Sequence, residues 1–340
     1  MKTGIVIDER YTAHDTGDGH PERPGRITTL LQMLAAHPSS DLVRIDPRPA
    51  TADEIALNHG ADHLARVAAT ADRAFFAFDA DTPTSRRSYE TALLAAGGLV
   101  ELVDAIMAGV VDNGFALVRP PGHHAEQDRA MGFCLFNNVA IAARVLRQRH
   151  GLERVLIMDW DLHHGNGTQH SFYGDPSVLY VSTHQYPFYP GTGAADEVGS
   201  GDGKGYTVNI PLRAGNGDPE LIEAFARVVV PVARQFRPDF VLVSAGFDCH
   251  RRDPLGELTA TEGGIAEMAR QLLLVAHECA GGRLAAVLEG GYDLTAIRDS
   301  VAHVLDGLGG AGLGQPIPTV PVGPTTERVL AVQRRYWDLG

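Results

Sequence analysis

The chain has 340 residues, of which 44% are hydrophobic and 21% are charged, a composition typical of a soluble globular protein with a full core. Its formal net charge of -13 at pH 7 argues against a general nucleic-acid binder, because the phosphates would be repelled. Three cysteines without a CxxC pair exclude a disulfide scaffold, and no apolar stretch approaches the roughly 20 residues that span a membrane. We therefore expect a cytoplasmic protein with no direct nucleic-acid partner, no membrane partner and no signal peptide.

The predicted elements alternate between short runs of β-branched residues and longer amphipathic stretches. In chain order, we predict strands over 3–7, 115–118, 154–158, 178–182, 206–210, 240–245 and 284–289, and helices over 20–37, 53–59, 62–70, 88–109, 137–150, 218–236, 261–280 and 293–308. Continuous apolar strands separated by helices indicate a mostly parallel sheet that helices cover on both faces.

Nothing in the composition divides the chain, so we predict a single α/β domain over residues 1–340. Residues 311–324 should form an extended segment that leads into a last helix, and this 311–340 extension should pack on the domain. A proline- and glycine-rich loop is predicted over 183–205. Loops of that length are more often functional than idle.

Reactive side chains follow four of the predicted strands. In open parallel sheets, ligands bind outside the carboxyl ends of the strands, so these four groups should share one edge. They are His123 and His124 after strand 115–118, Asp159, Asp161, His163 and His164 after strand 154–158, Asp248 after strand 240–245, and Tyr292 after strand 284–289.

The second of these groups suggests a metal site. Asp161 and His163 are two positions apart, so a turning backbone can aim both at one point, and Asp248 would complete a carboxylate–imidazole–carboxylate set. Three protein ligands with open positions describe a catalytic Zn²⁺ site, although Fe²⁺ or Co²⁺ would also fit. A surface turn rich in polar residues is the alternative interpretation.

The first and last groups suggest proton transfer and oxyanion binding. His123 and His124 follow Pro-Pro-Gly, which leaves the backbone little slack, and neutral imidazole is the natural proton carrier at about pH 7. Tyr292 follows two glycines that would let its hydroxyl approach an oxyanion. The alternatives are two exposed loop histidines and an ordinary aromatic residue at a strand end.

Seven motifs in order carry a resemblance to a known family: "HPERPGRI", "RPPGHHA", "MGFCLFNN", "DWDLHHGNGTQ", "PGTG", "SAGFDCHRRDPLG" and "LEGGYD". Over about residues 3–308 they resemble the class II branch of the histone deacetylase superfamily, which includes bacterial histone-deacetylase-like proteins and acetylpolyamine amidohydrolases. The resemblance implies the arginase–deacetylase α/β fold, one domain around an eight-stranded parallel sheet. It also implies a zinc-dependent amidohydrolase acting on acylated lysine side chains or small acylated amines.

The resemblance also assigns roles to individual positions. It implies Asp161, His163 and Asp248 as zinc ligands, His124 as general base and His123 as its electrostatic companion. Asp159 would hydrogen-bond His123, Asn166 would orient His124, and Tyr292 would hydrogen-bond the substrate carbonyl. The implied tunnel walls are Gly132, Phe133, Tyr189 and Leu255. Two implied structural K⁺ sites comprise Asp159, Asp161, His163, Ser182 and Thr183, and then Phe172, Asp175, Val178 and Tyr206.

Some alternatives stay open within this resemblance. Leu255 stands where polyamine-specific relatives carry a Glu, so acetylpolyamines are the less favoured of the two substrate classes. Asp81 is a candidate residue at the rim of the implied tunnel. A two-manganese ureohydrolase of the same fold would need carboxylates where this chain has Gly165 and His250. A non-catalytic acyl-lysine binding protein would need a lost ligand or a lost Tyr292. Relatives form dimers and tetramers, so a homo-oligomer is a further expectation.

Overall fold

A sheet of eight parallel strands forms the centre of the computed structural model, which describes residues 1–36 and 41–340. The strands of the structure are β1 (Thr3–Val6), β2 (Leu42–Arg44), β3 (Phe76–Ala77), β4 (Pro83–Thr84), β5 (Asn113–Ala116), β6 (Val155–Asp159), β7 (Val178–Gln185), β8 (Thr207–Leu212), β9 (Phe240–Ala245) and β10 (Leu284–Leu288). The order across the central sheet is β2-β1-β5-β10-β9-β6-β7-β8, while β3 and β4 form a separate antiparallel hairpin. The predicted single-domain α/β fold with an eight-stranded parallel sheet is therefore confirmed.

Helices flank the central sheet. They are α1 (Gly25–Ala36), α2 (Ala52–Ala56), α3 (Ala61–Ala68), α4 (Ser88–Met107), α5 (Asn138–Gln148), α6 (Asn166–Phe172), α7 (Asp218–Ala224), α8 (Val230–Phe236), α9 (Glu262–Cys279), α10 (Leu294–Leu308) and α11 (Pro324–Gln333), with 3₁₀ turns at Glu9–Ala13 and Gly201–Gly203. Side chains cap several of them: Asn137 accepts from the backbone of α5, Thr261 from that of α9 and Asp293 from that of α10. Such caps satisfy N–H groups that have no partner within the helix.

The central strands are apolar because they are buried in the core of the protein. Every residue of β6, β7, β9 and β10 is buried, as expected of parallel strands covered on both faces. The α11 helix packs against β8. In the described ranges, no helix combines the length and the apolar character needed to cross a bilayer.

Several predicted boundaries differ from the structure, and one predicted helix is interrupted. The loop predicted over 183–205 starts later, because β7 continues to Gln185 and Thr183 pairs in register with Ile210. The predicted helix 218–236 contains a π-helical turn at Phe225–Val229, just before Pro231, which has no N–H to donate to the preceding turn. The helix predicted from residue 20 begins at Gly25, after Pro21 and Pro24, and its predicted last residue, 37, lies outside the described residues.

Parallel register brings the carboxyl ends of the central strands to one edge. Asp159 at the end of β6 pairs with Ser182 of β7 and Ser244 of β9, and Leu288 of β10 pairs with Ala245. The polar segments that follow β5, β6, β9 and β10 therefore meet at this edge, as the sequence predicted.

Candidate active site

Asp161, His163 and Asp248 come together as a compact group of potential metal ligands. One ligand atom from each lies within 4.8 Å of the others. Nδ1 of His163 is 3.0 Å from Oδ2 of Asp248 and 3.2 Å from Oδ1 of Asp161. Both aspartates are fully buried, and the His163 side chain is 12% exposed. The imidazole thus forms the open side of an otherwise enclosed group.

Backbone donors aim the two carboxylates. Oδ2 of Asp161 accepts from the N–H of Gly290 at 2.8 Å, and Oδ1 accepts from the N–H of His163 at 2.8 Å. Oδ1 of Asp248 accepts from the N–H of Leu162 at 2.9 Å. These bonds join the segments after β6, β9 and β10, so the ligand geometry depends on the sheet register.

Two glycines leave the space that the carboxylates occupy. A Cβ atom at Gly246 would overlap Oδ2 of Asp161, and one at Gly290 would overlap Oδ2 of Asp248. Close backbone approach of this kind requires glycine. Gly246 in "AGFD" and Gly290 in "EGGY" therefore leave room for the carboxylates of the ligand group.

The electrostatics of the group fit a bound cation. Burial raises the pKa of Asp248, and the neighbouring charge of Asp161 adds to this, to about 7. Burial would lower the pKa of His163, but its bonds to both carboxylates raise it to about 9. Two buried carboxylates and one imidazole are ligands that Zn²⁺ accepts, and a divalent ion would favour their deprotonated forms.

His123 and His124 lie side by side, with ring centroids 4.0 Å apart, in contrasting environments. Burial would lower the pKa of His123, yet the carboxylates of Asp161 and Asp159 raise it to about 10. Nδ1 of His123 lies 3.1 Å from Oδ2 of Asp159. Burial and the adjacent His123 and His163 rings hold the pKa of His124 well below its usual range.

Asn166 holds the second of these rings. Its Oδ1 lies 2.7 Å from Nδ1 of His124, and it is the first residue of α6. Because Nδ1 is occupied, only Nε2 of His124 remains for other partners. The predicted contacts of Asp159 with His123 and of Asn166 with His124 are thus both present in the structure.

Tyr292 lines a cavity together with His124 and His163. It is 8% exposed, and its ring packs at right angles to that of Phe133, with centroids 5.8 Å apart. The Arg26 guanidinium lies over the Tyr292 ring, at 5.2 Å from the centroid. Among the residues that the structure describes, no protein atom accepts a hydrogen bond from the Tyr292 hydroxyl, so this group can donate to a ligand.

A cavity of about 250 Å³ connects these groups with the surface. It is lined by Asp81, Pro121, His123, His124, Gly132, Phe133, His163, Tyr189, Leu255, Gly290 and Tyr292. All four predicted tunnel residues therefore lie on its wall, as does the candidate rim residue Asp81.

The wall at Gly132 and Phe133 has a special backbone. Both residues are in the left-handed region, with φ of 56° and 69°, and a Cβ at Gly132 would lie 2.5 Å from Cδ2 of His124. The Phe133 N–H donates to the Thr82 hydroxyl at 3.2 Å. The Tyr189 ring, which also lines the cavity, is edge-on to His124, with centroids 5.1 Å apart.

The residues of the first predicted K⁺ site lie at the ends of β6 and β7. Asp159 and Ser182 are register partners, and Asp161 and His163 follow directly after β6. The Thr183 hydroxyl is buried and has no partner within the described part of the chain.

The residues of the second predicted K⁺ site are also neighbours. The carbonyl of Phe172 accepts from the N–H of Asp175 at 3.0 Å, and the carbonyl of Asp175 accepts from Val178 at 3.4 Å. The carbonyl of Tyr206 accepts from Tyr180 in the adjacent strand at 2.9 Å. Each predicted set is thus spatially clustered, and its role as a K⁺ site stays a prediction.

Sequence reasoning missed two buried carboxylates that position the site. Glu289 is fully buried, and its Oε2 accepts from the N–H groups of Gly122 and His123 at 2.6 and 3.1 Å. Asp253 accepts from the Tyr292 N–H at 2.6 Å and from the Leu255 N–H at 3.0 Å. Their positions inside "LEGGYD" and "RRDPLG" were the available signal.

Comparisons with known proteins show which family this chain is similar to. A family model described as Histone deacetylase domain matches residues 20–308. Histone deacetylase 15 of Arabidopsis thaliana is 44% identical over 98% of this chain, which spans 62% of that protein. A Probable deacetylase of Archaeoglobus fulgidus is 41% identical, with 86% of this chain and 82% of that protein covered. Histone deacetylase clr3 of Schizosaccharomyces pombe is 41% identical over 99% of this chain, but this chain spans only about half of it (52%).

A solved structure extends the similarity to the whole fold. The crystal structure of the HDA15 HD domain superposes with a TM-score of 0.92 at 43% identity, covering 99% of this chain and 97% of that one. The family model covers well over half of the 340 residues, and the motifs that carried the resemblance all lie in or around the matched region. The chain therefore belongs to the histone deacetylase domain family.

Proposed function

We propose that this protein is a zinc-dependent amidohydrolase that removes acetyl or other acyl groups from acylated lysine side chains. The observation that carries the proposal is the clustering of Asp161, His163 and Asp248 within 4.8 Å beside a cavity that His124 and Tyr292 also line. When bound by these three residues, zinc would supply Lewis-acid polarisation of the amide carbonyl and a lowered pKa of water.

Proton transfer falls to His124. Its Nδ1 is held by Asn166, so its Nε2 is free to take a proton from the attacking water and deliver it to the leaving amine. Burial would lower the pKa of His123, but the carboxylates of Asp161 and Asp159 raise it to about 10. His123 would therefore remain cationic and act electrostatically. Opposite displacements of neighbouring pKa values are a common way of dividing acid and base roles.

Oxyanion stabilisation falls to Tyr292. Its hydroxyl has no acceptor among the described residues and its ring lines the cavity. A donor aimed at developing negative charge typically contributes about 10²–10³ in rate. Phe133 and Tyr189, which both line the cavity, would exclude water around a slim acyl-lysine chain.

The substrate class follows from the shape and polarity of the cavity. A volume of about 250 Å³ with aromatic walls suits an extended aliphatic chain, and Asp81 at the wall offers an acceptor to the substrate backbone. Leu255 supplies an apolar contact where a carboxylate would favour a second cationic amine. These features favour acyl-lysine over acetylpolyamines as the proposed substrate.

A ureohydrolase is not supported. Among the described residues, only one group of three or more metal-ligating side chains is found. Gly165 has no side chain to bind a second ion, and Nε2 of His250 lies 3.3 Å from Glu262 and is not part of the ligand group. By the family resemblance, we also propose that the residues of the first and second predicted K⁺ sites bind structural K⁺.

A substrate panel tests this proposal. Acetyl-lysine, trifluoroacetyl-lysine and longer acyl-lysine peptides would be compared with acetylputrescine and acetylspermidine, with metal content measured on the same samples. The proposal predicts that the lysine peptides have the higher kcat/KM. A clear preference for either polyamine would replace acyl-lysine with acetylpolyamine as the substrate.

A further inference from the structure

A chain of hydrogen bonds runs from His124 to the protein surface. Nδ1 of His124 lies 2.7 Å from Oδ1 of Asn166, and Nδ2 of Asn166 donates to Oε1 of Glu126. Both carboxylate oxygens of Glu126 lie 2.9 Å from Nδ1 of His170. The Glu126 side chain is 13% exposed and the His170 side chain is 50% exposed. The chain thus links the buried proton carrier to solvent through one nearly buried carboxylate.

An amide beside an imidazole can serve either of two protonation patterns. With Oδ1 facing the ring, Asn166 accepts a proton carried on Nδ1 of His124, and Nε2 keeps its lone pair. With the amide turned over, Nδ2 would donate to Nδ1, and the ring proton would have to sit on Nε2. Only the first arrangement leaves Nε2 able to accept a proton. An amide therefore needs a further contact that decides which way it faces, whereas a carboxylate would not.

Glu126 supplies the deciding contact. An ionised carboxylate only accepts hydrogen bonds, so it pairs with Nδ2 and turns Oδ1 towards His124. The other acceptors near Nδ2 are poor, because the His124 carbonyl is 3.4 Å away and the Met131 sulfur is 3.5 Å away. A charge-assisted bond is roughly twice as strong as a neutral one.

The surroundings keep Glu126 ionised. Burial opposes its ionisation, but hydrogen bonds from His170 and Asn166 hold its pKa below the ordinary value. Arg129 on the same loop adds a favourable charge. The bond to Glu126 raises the pKa of His170, and Glu197 adds a smaller contribution in the same direction, so the cationic form of His170 is favoured beside the carboxylate.

We propose that Glu126 is a positioning residue that holds the Asn166 amide so that the ring proton of His124 stays on Nδ1. The inference rests on the proposed role of His124 as proton carrier. Asn166 and Glu126 together do for His124 what a single carboxylate does for His123, where Asp159 bonds the ring directly.

A mutant cycle tests the proposal by activity. Glu126→Gln keeps the shape but can donate as well as accept, so kcat should fall by about 10- to 100-fold with little change in KM. Asn166→Asp provides an acceptor that cannot be turned over, so in that background Glu126→Gln should cause no further loss. The matched control is Glu153→Gln, an exposed carboxylate before β6 at the opposite edge of the sheet, which should leave kcat unchanged.

Nitrogen NMR of histidine-labelled, zinc-loaded protein provides a readout that does not depend on turnover. His124, assigned by loss of its signals in His124→Ala, should carry its proton on Nδ1 in the wild type and shift towards Nε2 in Glu126→Gln. The same tautomer in both proteins, or an equal loss of kcat with Asn and with Asp at position 166, would overturn the proposal. Absence of hydrolysis by the wild type would instead reject the proposed function, and the tautomer measurement would still decide the role of Glu126.

Discussion

Nδ1 of His163 lies 3.0 Å from Oδ2 of Asp248, although 85 positions separate the two residues in the chain. The contact joins the segment after β6 to the segment after β9, and Asp161 completes it from within the first segment. The metal group thus exists only when neighbouring strands are in register.

Removing one carboxylate of this group should abolish metal binding. We expect Asp161→Ala and Asp248→Ala to purify without bound zinc, because an imidazole and one carboxylate leave too few protein ligands for a stable site. Elemental analysis of the purified proteins measures this, with Asp306→Ala, an exposed residue of α10, as the control. Stoichiometric zinc in Asp161→Ala would disprove the assigned ligand set.

The glycine beside the ligands should matter as much as a ligand. In Gly246→Ala, the new methyl group would overlap Oδ2 of Asp161, so we expect zinc occupancy and activity to fall together. Gly60→Ala is the matched control, because a Cβ there meets nothing within 4 Å. Normal zinc content in Gly246→Ala would show that the site tolerates a displaced carboxylate.

The proposed proton carrier and oxyanion donor should be separable from folding. His124→Ala and Tyr292→Phe are each expected to lower kcat by about 10² or more, as loss of a proton carrier or an oxyanion donor does. Bound zinc and the thermal unfolding curve should change little, because neither side chain is in the ligand group. Near-normal turnover in either variant is incompatible with its assigned role.

Stability should fall in mild acid through a buried histidine. His184 is fully buried between Ser182 and the Gly193 carbonyl, and burial lowers its pKa from 6.5 to about 4. The unfolded chain binds this proton at higher pH than the folded chain does, so the stabilising contribution is complete above pH 6.5 and is lost as the pH falls towards 4. The full loss from this one group is about 3 kcal/mol.

Urea unfolding at a series of pH values measures that contribution. Between pH 4 and 6.5, the pKa values of His184 in the folded and unfolded chain, the unfolding free energy should depend less steeply on pH in His184→Asn than in the wild type. The difference in slope should be about 1.4 kcal/mol per pH unit, which corresponds to about one proton. His303→Asn, at an exposed position, should keep the wild-type slope. Identical slopes in all three proteins would mean that His184 does not titrate as proposed.

A carboxylate at the cavity wall should shift substrate preference. Leu255 lines the cavity, so Leu255→Glu would place a negative charge at the cavity wall, where it attracts a substrate with a second cationic amine. We expect kcat/KM for acetylspermidine to rise relative to an acetyl-lysine peptide, and the shift to shrink at high salt. Leu255→Gln controls for size, and an equal effect in both variants would exclude charge as the cause.

Local motifs predicted which of these side chains the structure brings together at one edge of the sheet. Asp161, His163 and the paired histidines could be identified because each belongs to a segment that follows an apolar strand, and parallel strands bring such segments to one edge. Asp248 followed from the same rule. The sequence also predicted β9 over 240–245 with the bounds that the structure has.

Other parts left no local pattern. The β2 strand is only three residues long and is partly exposed, and α6 has the polar sequence "NGTQHSF", which lacks helical apolar spacing. Glu289 and Asp253 act on backbone N–H groups up to 167 positions away, and Glu126 acts through an amide on another element. Such contacts depend on tertiary packing, which periodicity does not encode.

We propose that the group of Asp161, His163 and Asp248 makes this chain a metal-dependent deacylase. The most direct measurement is hydrolysis of an acetyl-lysine peptide by the wild type after chelation and dialysis, followed by titration with Zn²⁺ and parallel elemental analysis. We predict that the stripped protein is inactive and that activity returns in proportion to bound zinc, reaching its maximum at one ion per chain. Full activity in protein free of metal, or no activity at full zinc occupancy, would contradict the claim.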